Sequence, residues 1–290
     1  MRKLGLALLL SASCAVHAAT PEWQPIQWYV DSFAGGAKER LALFLPAVID
    51  GMPCLVQLDT GANGELIWRG QAGADEKLEK KLVSVELAGI RKQIWADQKN
   101  LAYLRPEVCA QRAIATVGNA FFEHGTLTLD LRRSRFAFSG QALLAHDKNA
   151  LPLLYLRWAP SGGHTVVEVE LAGHKPAYAL LDTGAARFGL AATDAGEWAA
   201  LTGGVPLAES PAVKQYSLDS WGKQVQCFET DVRQQLTVGG MALEQSRASY
   251  CADQGFKSPV KLLGVLGLRP LRDKVITLDY LSRRWTLSAD

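Results

Sequence analysis

Leu58-Asp59-Thr60-Gly61-Ala62 and Leu181-Asp182-Thr183-Gly184-Ala185 are the same five residues, met twice in one chain. Each copy follows an apolar run. A single Asp-Thr-Gly is a good turn sequence and carries little by itself. Two copies in similar surroundings mean that one local structure delivers a carboxylate twice. Carboxylates held about 3 Å apart cannot both ionise easily, so one pKa falls and the other rises. The first can then act as general base on water while its protonated partner acts as general acid.

Working outward from the two copies, the halves of the chain match. Upstream, Leu41-Ala42-Leu43-Phe44-Leu45 answers Val166-Val167-Glu168-Val169-Glu170, and Gly51-Met52-Pro53 answers Gly173-His174-Lys175-Pro176. Each proline lies six residues before its aspartate. A strand, a Gly/Pro turn and a second strand running into the Asp loop is the simplest reading. Further upstream, Pro25 to Val30 and Pro152 to Leu156 read as opening strands, each preceding a Gly-Gly pair (Gly35-Gly36 and Gly162-Gly163). Downstream, Val117-Gly118 precedes Leu127-Thr128-Leu129-Asp130, and Leu266-Gly267 precedes Ile276-Thr277-Leu278-Asp279. The interval from glycine to aspartate is twelve residues in both. Short alternating strands dominate, which predicts an all-β chain of two homologous lobes joined near residues 139–150, with a cleft between them. Residues 71–81 and Ala191 to Leu201 are the two helix candidates. Asp59 to Gly118 spans 59 residues and Asp182 to Gly267 spans 85, so the second half carries 26 more, assigned to the stretch between Thr202 and Asp231.

The 290 residues are 48% hydrophobic and 21% charged, enough for two cores of lobe size. A net charge of +2 implies no nucleic-acid partner. Met1-Arg2-Lys3, the apolar Leu4 to Leu10 and the small-residue zone ending Val16-His17-Ala18 read as a signal peptide over residues 1–18. The chain is therefore expected in the periplasm or outside the cell. Lipoprotein processing at Cys14 is disfavoured, because the preceding apolar residue is one place too far away. No later stretch reaches the length of a membrane helix. Domains are expected at 19–145 and 146–290. Four cysteines remain after cleavage: Cys54, Cys109, Cys227 and Cys251. An even count in an oxidising compartment favours disulfides. Three connectivities are allowed, and two cysteines in each half favour Cys54–Cys109 and Cys227–Cys251.

The hydrophobic-Asp-Thr-Gly copies and the later apolar-Gly segments resemble the pepsin and retropepsin clan of aspartic proteases. That resemblance covers most of the mature chain. It implies two β-barrel lobes and a monomeric endopeptidase, cofactor-free and metal-free, acting on peptide or protein substrates through a water activated between Asp59 and Asp182. It also implies that Thr60 and Thr183 hydrogen-bond across the lobe interface and lock the two loops. Gly61 and Gly184 suit such a site, because a residue without Cβ lets backbone approach a carboxylate. Position four is Ala62 and Ala185, where pepsin-like members usually place a hydroxyl and retropepsin-like members often place alanine. Loss of that hydroxyl predicts a higher dyad pKa and a less extreme acid optimum; an optimum near pH 2 would contradict this.

The clan uses a hairpin flap over its substrate. Val213 to Leu218 and Lys223 to Phe228 flank Asp219-Ser220-Trp221-Gly222 and read as a hairpin. Tyr216 and Trp221 are its candidate substrate contacts, with a buried tyrosine as the bland alternative. Residues 19–38 are too short and too little basic for a pepsin-type pro-segment, so no inhibitory pro-region is expected. His124, His146, His164 and His174 show no metal-ligand spacing. Arg132-Arg133-Ser134-Arg135 and Arg283-Arg284 read as a solvated edge, and Trp23 and Trp28 as core or interface residues. The alternative from another class is a catalytically inactive peptide-binding or envelope-scaffold protein on the same fold. Such a protein has no need to keep both Asp-Thr-Gly units.

Overall fold

The computed structural model describes residues 22–33, 35–69, 79–159, 162–207, 210–220, 223–243, 246–252 and 258–289. The expected signal peptide, Cys14, residues 71–78 of the first helix candidate and Trp221 lie outside the described residues. The chain is predominantly β. Its first half runs β1 (Gln24–Pro25), β2 (Gln27–Ser32), β3 (Lys38–Ile49), β4 (Met52–Leu58), β5 (Leu66–Trp68), β6 (Lys80–Leu87), β7 (Ile90–Asp97), β8 (Ala113–Val117), β9 (Thr126–Asp130) and β10 (Arg135–Ser139). Short helices α1 (Gln98–Leu101), α2 (Pro106–Cys109) and α3 (Asn119–Phe122) interrupt it. Residues 140–150 carry no strand and link to the second half, as expected. There follow β11 (Leu151–Pro152), β12 (Leu154–Ala159), β13 (Gly162–Leu171), β14 (Ala177–Leu181), β15 (Leu190–Ala192), α4 (Ala195–Thr202), β16 (Lys214–Ser220) and β17 (Lys223–Asp231). The chain closes with β18 (Leu236–Val238), β19 (Met241–Leu243), β20 (Arg247–Cys251), β21 (Gly264–Leu266), β22 (Val275–Asp279) and β23 (Arg284–Ser288).

Three sheets result, and none closes into the barrel that the resemblance implied. One has seven strands from the first half, one ten from the second, and a third takes β1, β10 and β9 from the first half and β22, β23 and β11 from the second. The duplication is visible in the pairing. β4 lies parallel to β8 and β14 parallel to β21, while β5 and β15 run antiparallel to β8 and β21. Each Asp loop thus leaves the end of a strand that is hydrogen-bonded on one side to the segment before Gly118 or Gly267. Asp59 N–H donates to Val117 O (3.0 Å) and Asp182 N–H to Leu266 O (2.9 Å).

The register corrects one expectation. Phe44 faces Gln57 and Val166 faces Leu180, so Phe44, not Leu41, is the counterpart of Val166. The apolar run from Leu41 to Ile49 has no alternation to fix register, and a slip of three residues exchanges the two faces of a strand. The extra length of the second half is the hairpin β16–β17. β6 and β18 hold matching places beside β3 and β13, so residues 193–235 stand where the first half has only 69–79. The first helix candidate is corrected at its end, since Lys80 and Lys81 are in β6. The second begins later than expected, at Ala195: Asp194 caps it by accepting from the N–H groups of Gly196 and Glu197, and Ala191 is in a strand.

Cys54–Cys109 and Cys227–Cys251 are disulfides, each within its own half. The hydrophobic core runs through both halves, joining Leu43, Val56 and Leu58 with Val167, Leu181, Leu266 and Ile276. The basic residues at the two matching turns are more than a solvated edge. Arg133 and Arg135 pair with the buried Asp130 (3.2 and 2.9 Å), and Arg284 donates to the Asp147 and Ala150 carbonyls. Trp28 is partly buried and donates to Ser134 Oγ, but Trp23 is exposed, with the Arg135 guanidinium over its ring.

Candidate active site

The two Asp-Thr-Gly-Ala loops meet. Thr60 N–H donates to Thr183 Oγ1 and Thr183 N–H to Thr60 Oγ1, both at 3.0 Å. Each hydroxyl then donates onward to the other half: Thr60 Oγ1 to Leu181 O (2.6 Å) and Thr183 Oγ1 to Leu58 O (3.0 Å). Both threonines are fully buried. A hydroxyl that accepts one bond and donates another is what this reciprocal arrangement requires.

The lock brings each glycine against the opposite carboxylate. A Cβ on Gly61 would stand 2.6–2.8 Å from the Asp182 carboxyl atoms, and one on Gly184 would stand 2.5–2.8 Å from those of Asp59. No side chain fits there. The glycines that follow the strands act similarly: a Cβ on Gly118 would meet Ala62 O at 2.6 Å, and one on Gly267 would meet Ala185 O at 2.2 Å.

Backbone donors hold both carboxylates. Ala62 N–H donates to Asp59 Oδ1 (3.1 Å); Gly184 and Ala185 N–H donate to Asp182 Oδ1 (2.8 and 3.2 Å). The alanines contribute only these backbone groups, because a methyl cannot donate. The two carboxyls are close enough for each to shift the other's titration. Burial pushes Asp59 well above the usual carboxylate range, and the adjacent Asp182 charge adds to the rise. Burial also raises Asp182, against the neighbouring Asp59 and the surrounding N–H groups. Both are thus raised, where one was expected to fall, because burial outweighs the N–H donors at Asp182 as well. Both residues are densely packed yet partly open to solvent.

One titratable neighbour was not signalled by spacing. His164, in β13, is buried, and its imidazole is held below the usual histidine range by that burial, against the Gly61 backbone and the Asp182 charge.

The expected hairpin is β16–β17, with strands longer than the sequence reading placed them. Tyr216 is not turned outward. It is buried, its ring meets Phe33 edge-on at 5.1 Å, and its hydroxyl accepts from Arg187 at 3.0 Å. Burial pushes that hydroxyl up to about 12. Arg187, five residues after Asp182, also pairs with Glu39 (3.1 Å) and Glu229 (3.3 Å), and its guanidinium lies 3.8 Å over the Phe33 ring. Sequence reasoning passed over this arginine, since nothing local marks it.

Among the described residues, no group of His, Cys, Asp and Glu could hold a metal ion, and no helix is long and apolar enough to cross a membrane. A groove of about 400 Å³ beside the Cys54–Cys109 bridge is lined by Pro46, Val48, Leu55 and Leu87 and includes neither aspartate. Among the described residues, the carboxyl groups with a raised pKa are Asp59 and Asp182. Neither a protein-family model nor a curated protein sequence matches the chain.

Proposed function

We propose that this chain is an exported aspartic endopeptidase of the pepsin/retropepsin type, with lobes over residues 19–145 and 146–290 and a dyad of Asp59 and Asp182. One observation carries the reading: two neighbouring carboxyls with raised pKa, each seated on the other half's glycine and tied together by Thr60 and Thr183. The retained proton makes one carboxyl an acid while its partner is a base.

In the proposed reaction a water between the carboxyls attacks the peptide carbonyl carbon. Its proton passes to the ionised carboxylate, and the protonated carboxyl gives its own proton to the carbonyl oxygen. The tetrahedral intermediate then collapses: the C–N bond breaks, and a proton returns to the leaving nitrogen. No covalent enzyme intermediate is needed. Preorganisation matters more here than any single contact, and the paired threonines supply it. The two disulfides support export, because such bonds persist in oxidising compartments.

The test is incubation of the mature protein with a diverse peptide library from pH 3 to 7, beside Asp59→Asn and Asp182→Asn. Each variant is expected to lose about 10²–10⁴-fold in rate, the usual worth of a positioned acid or base. Equal behaviour of all three proteins would defeat the peptidase reading and leave the peptide-binding one.

A further inference from the structure

The Asp59 loop has a support that the Asp182 loop lacks. Asn119, the first residue of α3, is fully buried. Its Nδ2 donates to Thr60 O at 2.6 Å and to Ala62 O at 3.2 Å, and its own N–H donates to Ala62 O at 3.0 Å. Its Oδ1 accepts from the hydroxyl of Tyr280 at 2.9 Å. Tyr280 is equally buried and immediately follows β22, at the other end of the chain. The fixed tyrosine hydroxyl orients the amide, so that its NH₂ faces the two loop carbonyls.

The duplication provides an internal comparison. The counterpart of Asn119, after Gly267, is Leu268, and the counterpart of Tyr280, after Asp130, is Leu131. Both leucines are fully buried. An apolar pair therefore satisfies packing at this place in the fold. A buried polar pair costs desolvation unless every group is matched, and what this one gains is two hydrogen bonds to the catalytic loop.

We propose that Asn119 and Tyr280 are positioning residues that brace the Asp59 loop from the shared sheet, so that hydrolysis at the dyad depends on a hydroxyl from the far end of the chain. This rests on the peptidase reading. The titratable and charged groups facing the pair are Tyr155, Arg283 and Glu123 around Tyr280, with the dyad beyond Thr60.

Two variants of the full mature chain test it. Tyr280→Phe keeps the ring and removes only the donor to Asn119. Its kcat is expected to fall about tenfold with KM within about twofold, because a slightly misplaced dyad loses transition-state stabilisation rather than binding. Asn119→Asp keeps the acceptor for Tyr280 and can donate to Thr60 O only while protonated. Its activity should survive at acid pH and fail as pH rises, moving the alkaline limb of the profile downward. A merely structural role predicts lower stability with unchanged kcat per folded molecule and an unmoved profile; that result overturns the brace. Wild type and Asp59→Asn run alongside show whether the peptidase reading itself stands. If it falls, the brace is judged by carbon NMR titration of the dyad carboxyls: Tyr280→Phe should move it, and an identical titration in both proteins overturns the brace.

Discussion

At the scale of single residues, the paired carboxyls are a cost to the fold. Asp59 and Asp182 are held near each other, and their raised pKa values mean that the fold favours the protonated carboxyl. The stability consequence has a definite sign. A group whose folded pKa lies above its unfolded value contributes fully below the unfolded pKa of about 3.9 and loses that contribution as pH rises through the folded pKa. Ionising the dyad at neutral pH therefore opposes folding. Asp59→Asn removes a charge that the fold penalises, so its urea midpoint at pH 7 should lie above that of wild type. The gap should close toward pH 3, where both dyad carboxyls are protonated. A variant less stable than wild type at pH 7 would show that the carboxylate is held by its N–H donors more strongly than burial opposes it. His164 acts in the opposite sense. Its lowered folded pKa gives a contribution that is present above about 6.5 and lost as pH falls. As pH falls below about 6.5 the two effects therefore oppose each other.

At the scale of elements, the halves exchange their opening hairpins. The β2–β3 hairpin carries Phe33 and Glu39 to Arg187 and Tyr216, and the β12–β13 hairpin carries Tyr155 and Arg157 to Glu123 (3.0 and 2.5 Å). Arg187→Met tests the first contact. It keeps the stem but leaves the half-buried Glu39 and the buried Glu229 without their shared guanidinium, and breaking such a cluster costs about 3 kcal/mol or more. Arg247 and Arg269 still reach Glu229 at 2.8 and 3.2 Å, while among the described residues Glu39 keeps only Arg272 at 3.9 Å, so Glu39 bears most of the loss. Adding Glu39→Gln should restore part of the urea midpoint. A double variant no better than the single one would show that packing on Phe33, not charge, holds the hairpin. Legibility differed by element for physical reasons. The Asp loops, the disulfide pairs and the added hairpin were readable, because each is local or is repeated. The register of β3 was not, since a strand buried along Leu43 to Leu45 shows no alternation. Arg187, Asn119 and Tyr280 were invisible because their partners lie 29 to 161 positions away, and no local pattern announces a long-range hydrogen bond.

At the scale of the molecule, the two halves are joined in a way that makes each incomplete. β9 and β22 are equivalent strands and pair antiparallel, with Thr128 facing its own counterpart Thr277. The seam is self-complementary, like the contact of a two-fold dimer, but it lies within one chain. Cutting in the link at residues 140–150 would expose β9 as an edge carrying Leu127 and Leu129, both fully buried in the whole chain. It would also remove Leu181 O and the Thr183 hydroxyl from Thr60. An uncovered apolar edge strand is an invitation to aggregation. Residues 19–145 expressed alone should therefore lack a cooperative thermal transition, whereas the intact chain should unfold in one. Co-expression of 19–145 with 146–290 should restore both the transition and Asp59-dependent hydrolysis, because seam, hairpins and threonine lock all re-form between chains. A first fragment that melts sharply by itself would mean that its seven-stranded sheet suffices for folding. The shared sheet would then serve only to aim one aspartate at the other.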